Sequence, residues 1–293
     1  MLNKTSNLSV LLVLAWLTAP APSPAQIEPP VYLGRDDRPL SIQDDEEILA
    51  FLRTARETAS EPIGEGITEA YRLTLVSADS IEARAAFHHV NHTERKIKRL
   101  PNNNVVGYLR DSYTSQVAAY RVGRLLGMDN IPPTVLRRSN HLNGSAQLWI
   151  EKAMTEKVRQ ERGIKPVDRT IWNQLYADMR VFDNLINNID RNTGNMLVDS
   201  FGRLWLIDHT RSFGRDKSLP RPETITRCSH RLYEAIKGLD EAVVESALEE
   251  LMSKGEIKAI FKRRLEVLEK LDHLIAKLGP DQVLFDYGDP DPG

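Results

Sequence analysis

Three side chains in the middle of this sequence could act together in catalysis: Asp190, Asn195 and Asp208. Phosphoryl transfer needs a carboxylate that takes or orients the proton of an attacking hydroxyl group. It also needs hard oxygen ligands that hold Mg²⁺ against nucleotide phosphates. Asp190 suits the first role, and Asn195 and Asp208 suit the second. The residue types and their spacing therefore indicate phosphoryl-transfer chemistry.

Two short strands are predicted between the two metal ligands. The segments Met196–Asp199 and Leu204–Ile207 are apolar enough to be strands, and the residues between them form a turn. A hairpin of this kind returns Asp208 to the level of Asn195. The sequence therefore predicts that the oxygen atoms of these two side chains converge.

A helix is predicted before the candidate base. Apolar residues recur every three or four positions from Trp172 to Ile189, which predicts one buried helix face that ends where Asp190 begins. The alternative interpretation is that residues 190–194 form only a polar turn between a helix and a hairpin. The helix upstream, together with Asp208 at the end of the second strand, favours a functional site.

The segments NLINNIDRNTGNMLVD and LWLIDHTRSF resemble the catalytic core of a kinase superfamily. This superfamily contains the phosphatidylinositol kinases, the HipA-like kinases and the secretory-pathway kinases of animals, and exported bacterial members are the most similar. The resemblance extends from about Glu61 to Leu278. It implies that Asp190 is the catalytic aspartate, that Asn195 and Asp208 bind metal, and that the cofactors are ATP and Mg²⁺ or Mn²⁺.

The resemblance also implies an α+β, bilobal protein-kinase-like fold. The small strand-rich lobe would extend to about residue 148, and the mostly helical lobe would occupy residues 149–280. Gly64, Gly66 and Thr68 would belong to a loop that approaches nucleotide phosphates, although two glycines in an ordinary turn are a comparable interpretation. Trp149 lies where such kinases hold adenine between the lobes, and it could equally be a core residue.

The sequence departs from the family at one ion pair. The predicted strand Ala83–Val90 carries His88 where related proteins have a lysine, and the helix Tyr113–Leu126 carries Gln116 where they have a glutamate. A histidine with its reference pKa of about 6.5 offers a hydrogen bond but little positive charge at neutral pH. Replacement of both partners leaves no charge stranded, although His88 could also be an ordinary strand residue. Arg211 is a candidate contact to phosphate or to an acidic substrate, and a plain surface arginine is the alternative.

The N-terminus predicts export. Lys4 is the only charge in the first 25 residues, an apolar run follows from Leu8 to Leu17, and small residues precede a cleavage point after Ala25. The apolar run is too short to span a bilayer, and no later segment is long and apolar enough to do so. An uncleaved anchor is the alternative. The mature protein is thus expected in the periplasm or medium, without a transmembrane helix.

The remaining chain divides into a linker at 26–40, the kinase-like domain at 41–280 and a flexible tail at 281–293. The net charge of −2 gives no broad basic surface, so nucleic acid is not an expected partner. Cys228 is the single cysteine, which excludes an internal disulfide bond and a cysteine zinc site.

Two functions follow from these observations. The first is an exported kinase-like phosphotransferase that moves the γ-phosphate of a metal-bound nucleotide to a hydroxyl group on a protein, lipid or sugar. The second is a catalytically impaired pseudokinase that acts as a secreted binding or scaffold module. The intact metal ligands favour the enzyme, whereas His88 and Gln116 favour the pseudokinase.

Overall fold

The computed structural model describes residues 29–64, 70–94, 98–99, 105–106 and 108–290, and only the backbone at 98, 99, 105 and 106. The predicted signal peptide therefore lies outside the described residues. The same holds for Gly66 and Thr68 of the predicted phosphate loop.

The described chain has a strand-rich N-terminal part followed by a mostly helical C-terminal part. The helices are α1 Asp45–Thr54, α2 Tyr113–Leu125, α3 Glu156–Glu161, α4 Arg169–Leu185, α5 His230–Lys237, α6 Glu241–Leu248, α7 Lys254–Leu278 and α8 Pro280–Val283. The strands are β1 Arg56–Pro62, β2 Ala70–Val76, β3 Glu82–His88, β4 Asn91–Glu94, β5 Lys98–Arg99, β6 Val105–Val106, β7 Leu109–Ser112, β8 Thr134–Ser139, β9 Leu142–Leu148, β10 Met154–Thr155, β11 Met196–Val198, β12 Leu204–Leu206, β13 Cys228–Ser229 and β14 Leu284–Phe285. This arrangement is the predicted α+β, two-lobed fold.

The small lobe is built on a five-stranded antiparallel sheet in the order β1-β2-β3-β9-β8. Alternate residues of β3, namely Ala83, Ala85 and Phe87, are buried in the core. Because side chains alternate across a strand, Ala86 and His88 lie on the opposite face. The sheet thus buries one face in the core and leaves the other partly exposed.

The turn between β8 and β9 does not lie at the Asn-Gly pair of this segment. The pair Asn143-Gly144 is typical of a hairpin turn and predicts one there. The turn lies instead at Asn140 and His141, which have positive φ values of 48° and 67°. Gly144 instead lies within β9, where a Cβ atom would come 2.3 Å from the carbonyl oxygen of His88. Glycine is needed here for close strand packing rather than for the turn.

The helical lobe is organised around α4 and α7. The helix α4 ends at Leu185, four residues earlier than the apolar pattern predicts, because Asn187 adopts a left-handed φ of 56°. Ile186 and Ile189 are still buried, so they extend the apolar pattern beyond the helix. No helix of the described residues is both long and apolar enough to cross a bilayer.

Two segments predicted to lie outside the domain are packed against it. Within the predicted linker, Tyr32 is 2% exposed, and its ring centroid lies 5.8 Å from that of Trp205. Within the predicted tail, β14 pairs in parallel with β13, and the Tyr287 hydroxyl donates to Asp178 at 2.6 Å. Both corrections have one physical reason: a few apolar or aromatic residues anchor a segment that is otherwise polar.

A buried ion pair joins the two lobes. Arg110 of β7 donates to Glu256 of α7 at 2.8 Å, and its other nitrogens reach Ser115 and the carbonyl of Leu251. The two charged side chains are 9% and 3% exposed. Because removal of one partner leaves a buried charge without compensation, such a pair tolerates substitution poorly.

We expect Arg110→Met to lower the free energy of unfolding by about 3–5 kcal/mol. Arg121→Met is the matched control, because Arg121 pairs with Glu250 on the surface, where the two side chains are 29% and 55% exposed. The control should cost about 1 kcal/mol or less. Urea unfolding of both variants measures the difference, and equal losses would contradict the assignment of Arg110 as a lobe-joining residue.

Candidate active site

The loop that carries Asp190 begins at the end of α4. Asp168 caps the start of this helix by accepting from the Ile171 amide at 3.0 Å. At its other end, the Phe213 amide donates to the carbonyl of Ile186 at 2.6 Å, so the chain that follows Asp208 closes the helix end. The candidate base and the candidate metal ligands are therefore held at one helix terminus.

Arg191 holds this loop in place through hydrogen bonds from its guanidinium group. Its guanidinium donates to both carboxylate oxygens of Asp183, at 2.9 and 3.0 Å. It also donates to the carbonyls of Asn195 at 2.6 Å and Ile207 at 2.8 Å, the second of which immediately precedes Asp208. Asn188 donates to the same Asp183 carboxylate and accepts from the Asp190 amide. One buried ion pair thus fixes the backbone at all three candidate residues.

The predicted hairpin brings the two candidate metal ligands, Asn195 and Asp208, to adjacent positions. Its strands β11 and β12 pair Met196 with Leu206, and the next backbone bond joins the Ile207 amide to the carbonyl of Asn195 at 3.2 Å. Asp208 has a φ of 52°, a left-handed conformation that turns the chain away from the strand. Aspartate tolerates this conformation better than most residues, and such backbone strain is typical of functional positions.

The oxygen donors here suit a hard divalent cation. The Asn195 amide nitrogen donates to the Asp190 carbonyl at 3.0 Å. The amide oxygen of Asn195 has no partner among the described residues. One carboxylate oxygen of Asp208 accepts from the Thr210 hydroxyl at 3.0 Å, and the other likewise has no partner there. No three His, Cys, Asp or Glu side chains of the described chain form a metal cage. Mg²⁺ usually binds one or two carboxylates plus substrate phosphates, so this donor pair fits it.

Asp190 is held by an arginine that a second aspartate holds in turn. Arg211 donates to Asp190 Oδ2 at 2.9 Å and to Asp111 Oδ2 at 3.1 Å. Partial burial raises the pKa of Asp190, Arg211 opposes this shift and the nearby Asp208 adds to it, with a net increase. A carboxylate whose pKa lies above its ordinary value is a stronger base near neutral pH.

The neutral pair predicted at the ion-pair position does form. The Gln116 side-chain oxygen accepts from the His209 amide at 3.1 Å, and its nitrogen lies 3.3 Å from His88 Nδ1. Since the amide nitrogen is a donor, His88 Nδ1 must accept, which assigns the proton to Nε2. Burial lowers the pKa of His88 despite the nearby carboxylates of Asp208 and Asp111. His88 is therefore neutral at pH 7.

The remaining predicted residues lie at opposite ends of the sheet, with Gly64 at the end near His88 and Trp149 at the end near Arg84. Trp149 follows β9, and the guanidinium groups of Arg72 and Arg84 lie 5.7 and 5.9 Å from its ring centroid. Arg84 also pairs with the buried Glu151. Gly64 is described, with open space around its Cα, and Gly66 and Thr68 lie beyond the described residues.

Asp111, Asp183 and Arg191 belong to the site but were not predicted from the sequence. Asp111 lies on β7, directly before the Ser112 that caps α2, so its position resembles that of an ordinary capping residue. Asp183 lies in the apolar pattern of α4, and Arg191 follows the candidate base. A charged residue within a predicted buried helix face is the one signal that could have found Asp183.

Comparison with known proteins establishes the fold. No family model matches the chain, and no curated protein matches it. The structure of the Golgi casein kinase is 14% identical with a TM-score of 0.58, and the match covers 85% of this chain and 80% of that one. The structure of hydra Fam20 with sugar is 16% identical with a TM-score of 0.60, covering 83% and 93%. The chain has a kinase-like fold. The Golgi casein kinase with Mn/ADP bound gives a TM-score of 0.56 at 14% identity, covering 85% of this chain and 80% of that one.

The Asp183–Arg191 pair should be essential to the stability of the loop that carries Asp190. We expect Asp183→Asn to lower the free energy of unfolding by about 3–5 kcal/mol, because Arg191 would keep a buried charge without its carboxylate. The matched control on the same helix is Asp168→Asn, since Asn caps a helix as well as Asp does. Urea unfolding tests both variants. A loss below about 1 kcal/mol for Asp183→Asn would show that the loop does not depend on this pair.

Proposed function

We propose that this protein is an exported phosphotransferase that moves the γ-phosphate of ATP to a hydroxyl acceptor. In this proposal Asp190 is the base, and Asn195 and Asp208 hold Mg²⁺ or Mn²⁺. One observation carries it: Asn195 and Asp208 are neighbours across the hairpin, and each has a side-chain oxygen without a partner among the described residues. The Asn195 side chain also donates a hydrogen bond to the Asp190 carbonyl. The kinase-like fold supports the same assignment.

Asp190 has one carboxylate oxygen available for an acceptor. Arg211 engages Oδ2, whereas Oδ1 has no partner among the described residues. An acceptor hydroxyl that donates to Oδ1 would be oriented toward the phosphate, and Asp190 would take its proton during transfer. A bound Mg²⁺ or Mn²⁺ ion would neutralise charge on the transferred phosphoryl group.

Arg211 supplies positive charge where the family lysine is missing. His88 is neutral, so it offers its Nε2 hydrogen to phosphate but no fixed charge. Arg211 lies between Asp190 and Asp111, and its charge is also close to Asp208. We assign Arg211 to contact the transferred phosphate and Asp111 to hold Arg211 in place.

The acceptor hydroxyl belongs to a protein, lipid or sugar, and the N-terminal segment directs the chain out of the cytoplasm.

A pseudokinase is the second candidate function. It is favoured by the neutral His88–Gln116 pair and by the engagement of Asp190 by Arg211. Nucleotide binding and turnover separate the two.

Metal-dependent nucleotide binding tests the proposal directly. We expect ATP to bind the wild type only with Mg²⁺ or Mn²⁺, and Asp208→Ala to abolish this binding because it removes the carboxylate ligand. Asp190→Ala should bind ATP as the wild type does but lose turnover, because Asp190 acts on the proton rather than on the metal. Calorimetric titration and phosphate release measure the two properties. Binding without turnover in the wild type would favour the pseudokinase, and absence of binding would overturn both roles of the metal ligands.

Restoring the family ion pair should strengthen nucleotide binding. We expect His88→Lys with Gln116→Glu to tighten ATP binding by on the order of 1–3 kcal/mol, because lysine adds a charge-assisted bond to phosphate. Gln116→Glu alone should not help, since position 116 is fully buried and would hold an unpaired carboxylate. His88→Lys alone should gain less than the pair. Equal ATP affinity in all four proteins would show that position 88 does not face the phosphates.

The acid limb of the pH profile should depend on Arg211. Because Arg211 opposes the increase in the pKa of Asp190, Arg211→Gln should raise this pKa further and move the acid limb of turnover to higher pH. Arg215→Gln is the control, since Arg215 is an exposed arginine of the same segment. A carbon-13 NMR titration of the Asp190 carboxyl group measures the same shift without turnover. An unchanged pKa in Arg211→Gln would contradict the contact.

A further inference from the structure

A concave site separate from the candidate active-site residues lies next to the loop that carries Asp190. It is a groove of about 320 Å³ between α3, α4, the loop after Asp190 and the chain near Arg221. Small-molecule sites usually begin at about 300 Å³, so the groove can hold a compact ligand. None of the residues to which we assign the phosphotransfer reaction lines it.

The groove carries unbalanced positive charge. Asp183 is the one carboxylate among its lining residues, and both of its oxygens are taken by Arg191. Two other arginines, Arg180 and Arg221, line the groove as well. Arg180 is exposed and has no carboxylate partner in the described part of the chain, and Arg221 uses one nitrogen on the carbonyl of Ile189 at 3.1 Å. The groove therefore favours an anion.

The floor of the groove is apolar. Tyr176 and Met179 come from one face of α4, and Met196 from the start of β11. Met179 and Met196 are buried, and burial raises the pKa of the Tyr176 hydroxyl, so that side chain stays neutral. A planar apolar group can pack on this floor while its charged end reaches the arginines.

The groove is connected to the candidate base through the backbone. Asn188 and Asn192 both line the groove. Asn188 accepts from the Asp190 amide at 3.2 Å, and Asn192 donates to the Asp190 carbonyl at 3.1 Å. An occupant would therefore contact the residues that hold both peptide groups of Asp190.

We propose that this groove is a binding site for a small phosphate-bearing ligand with an apolar part, separate from the nucleotide cleft. Asn184 donates to the backbone carbonyls of both Arg180 and Arg221, at 2.9 and 3.1 Å, so the two arginines are held near each other. Arginine forms paired, charge-assisted bonds with phosphate oxygens, and two arginines match a phosphate dianion. The ligand would contact Asn188 and Asn192, which hold the peptide groups of Asp190. The site does not depend on whether the protein transfers phosphate.

Phenyl phosphate is the probe for this site, with inorganic phosphate as the comparison. We expect saturable binding in NMR titrations, with shifts at the side chains of Arg180 and Arg221 and at the Asn192 amide. Phenyl phosphate should bind more tightly than inorganic phosphate, because its ring covers the apolar floor. Equal affinity for phenyl phosphate and inorganic phosphate would show that the apolar floor contributes nothing to binding. This result would overturn the proposal that the ligand has an apolar part.

Substitution of the two arginines tests the location. Arg180→Gln should weaken phenyl phosphate binding about fivefold, and Arg180→Gln with Arg221→Gln about twentyfold or more. Arg53→Gln on α1 is the control, since it changes an exposed arginine that does not line the groove. Arg180 makes no side-chain bond among the described residues, so Arg180→Gln should fold normally and remains informative if the double variant does not.

The nucleotide cleft must be excluded as the source of the signal. Asp208→Ala should leave phenyl phosphate binding unchanged, whereas the arginine variants should leave metal-dependent ATP binding unchanged. Loss of probe binding in Asp208→Ala, or equal binding in the arginine variants and the control, would overturn the proposal. A non-saturating titration would show adventitious surface binding only, and this too would overturn it. Failure of ATP binding alone would count against the phosphotransferase and not against this groove.

Discussion

The buried guanidinium of Arg191 is the interaction on which the candidate site depends. It joins Asp183 at the end of α4 to the backbone carbonyls of Asn195 and Ile207, which belong to or precede the candidate metal ligands Asn195 and Asp208. A charge placed this deep is stable only while its carboxylate partner and the carbonyl acceptors stay in position. The loop, the hairpin and the helix end are consequently one rigid unit, which is the preorganisation that a catalytic site requires.

The parts of the fold that depend on local pattern were predictable. The hairpin around residues 200–203 followed from two apolar runs and a turn, and α4 followed from apolar residues that recur every three or four positions. The proximity of Asn195 and Asp208 along the backbone followed from the hairpin alone, because an antiparallel register fixes which residues are neighbours. Roles in catalysis and metal binding came from the residue types and from the resemblance, and they stay predictions.

The parts that depend on contacts between distant residues were not predictable. Asp111 lies 100 positions from Arg211, and nothing near it in the sequence indicates that the two meet. Asn143 and Gly144 gave a stronger turn signal than Asn140 and His141, but the close approach of β3 required the glycine within the strand. The terminal segments were misjudged for a similar reason, since Tyr32 and Tyr287 find their partners only in the folded chain.

The small lobe and the helical lobe are joined by more than the connection at Trp149. Besides the pair between Arg110 and Glu256, the Ser112 amide donates to the Thr210 carbonyl, and Ser115 to that of Ser212. Proteins with two structural parts often melt in separate steps, each with its own heat absorption. Here neither lobe can lose its structure without stranding buried polar groups of the other. The molecule should therefore behave as one cooperative thermodynamic unit, and the small lobe expressed alone should not hold a native fold.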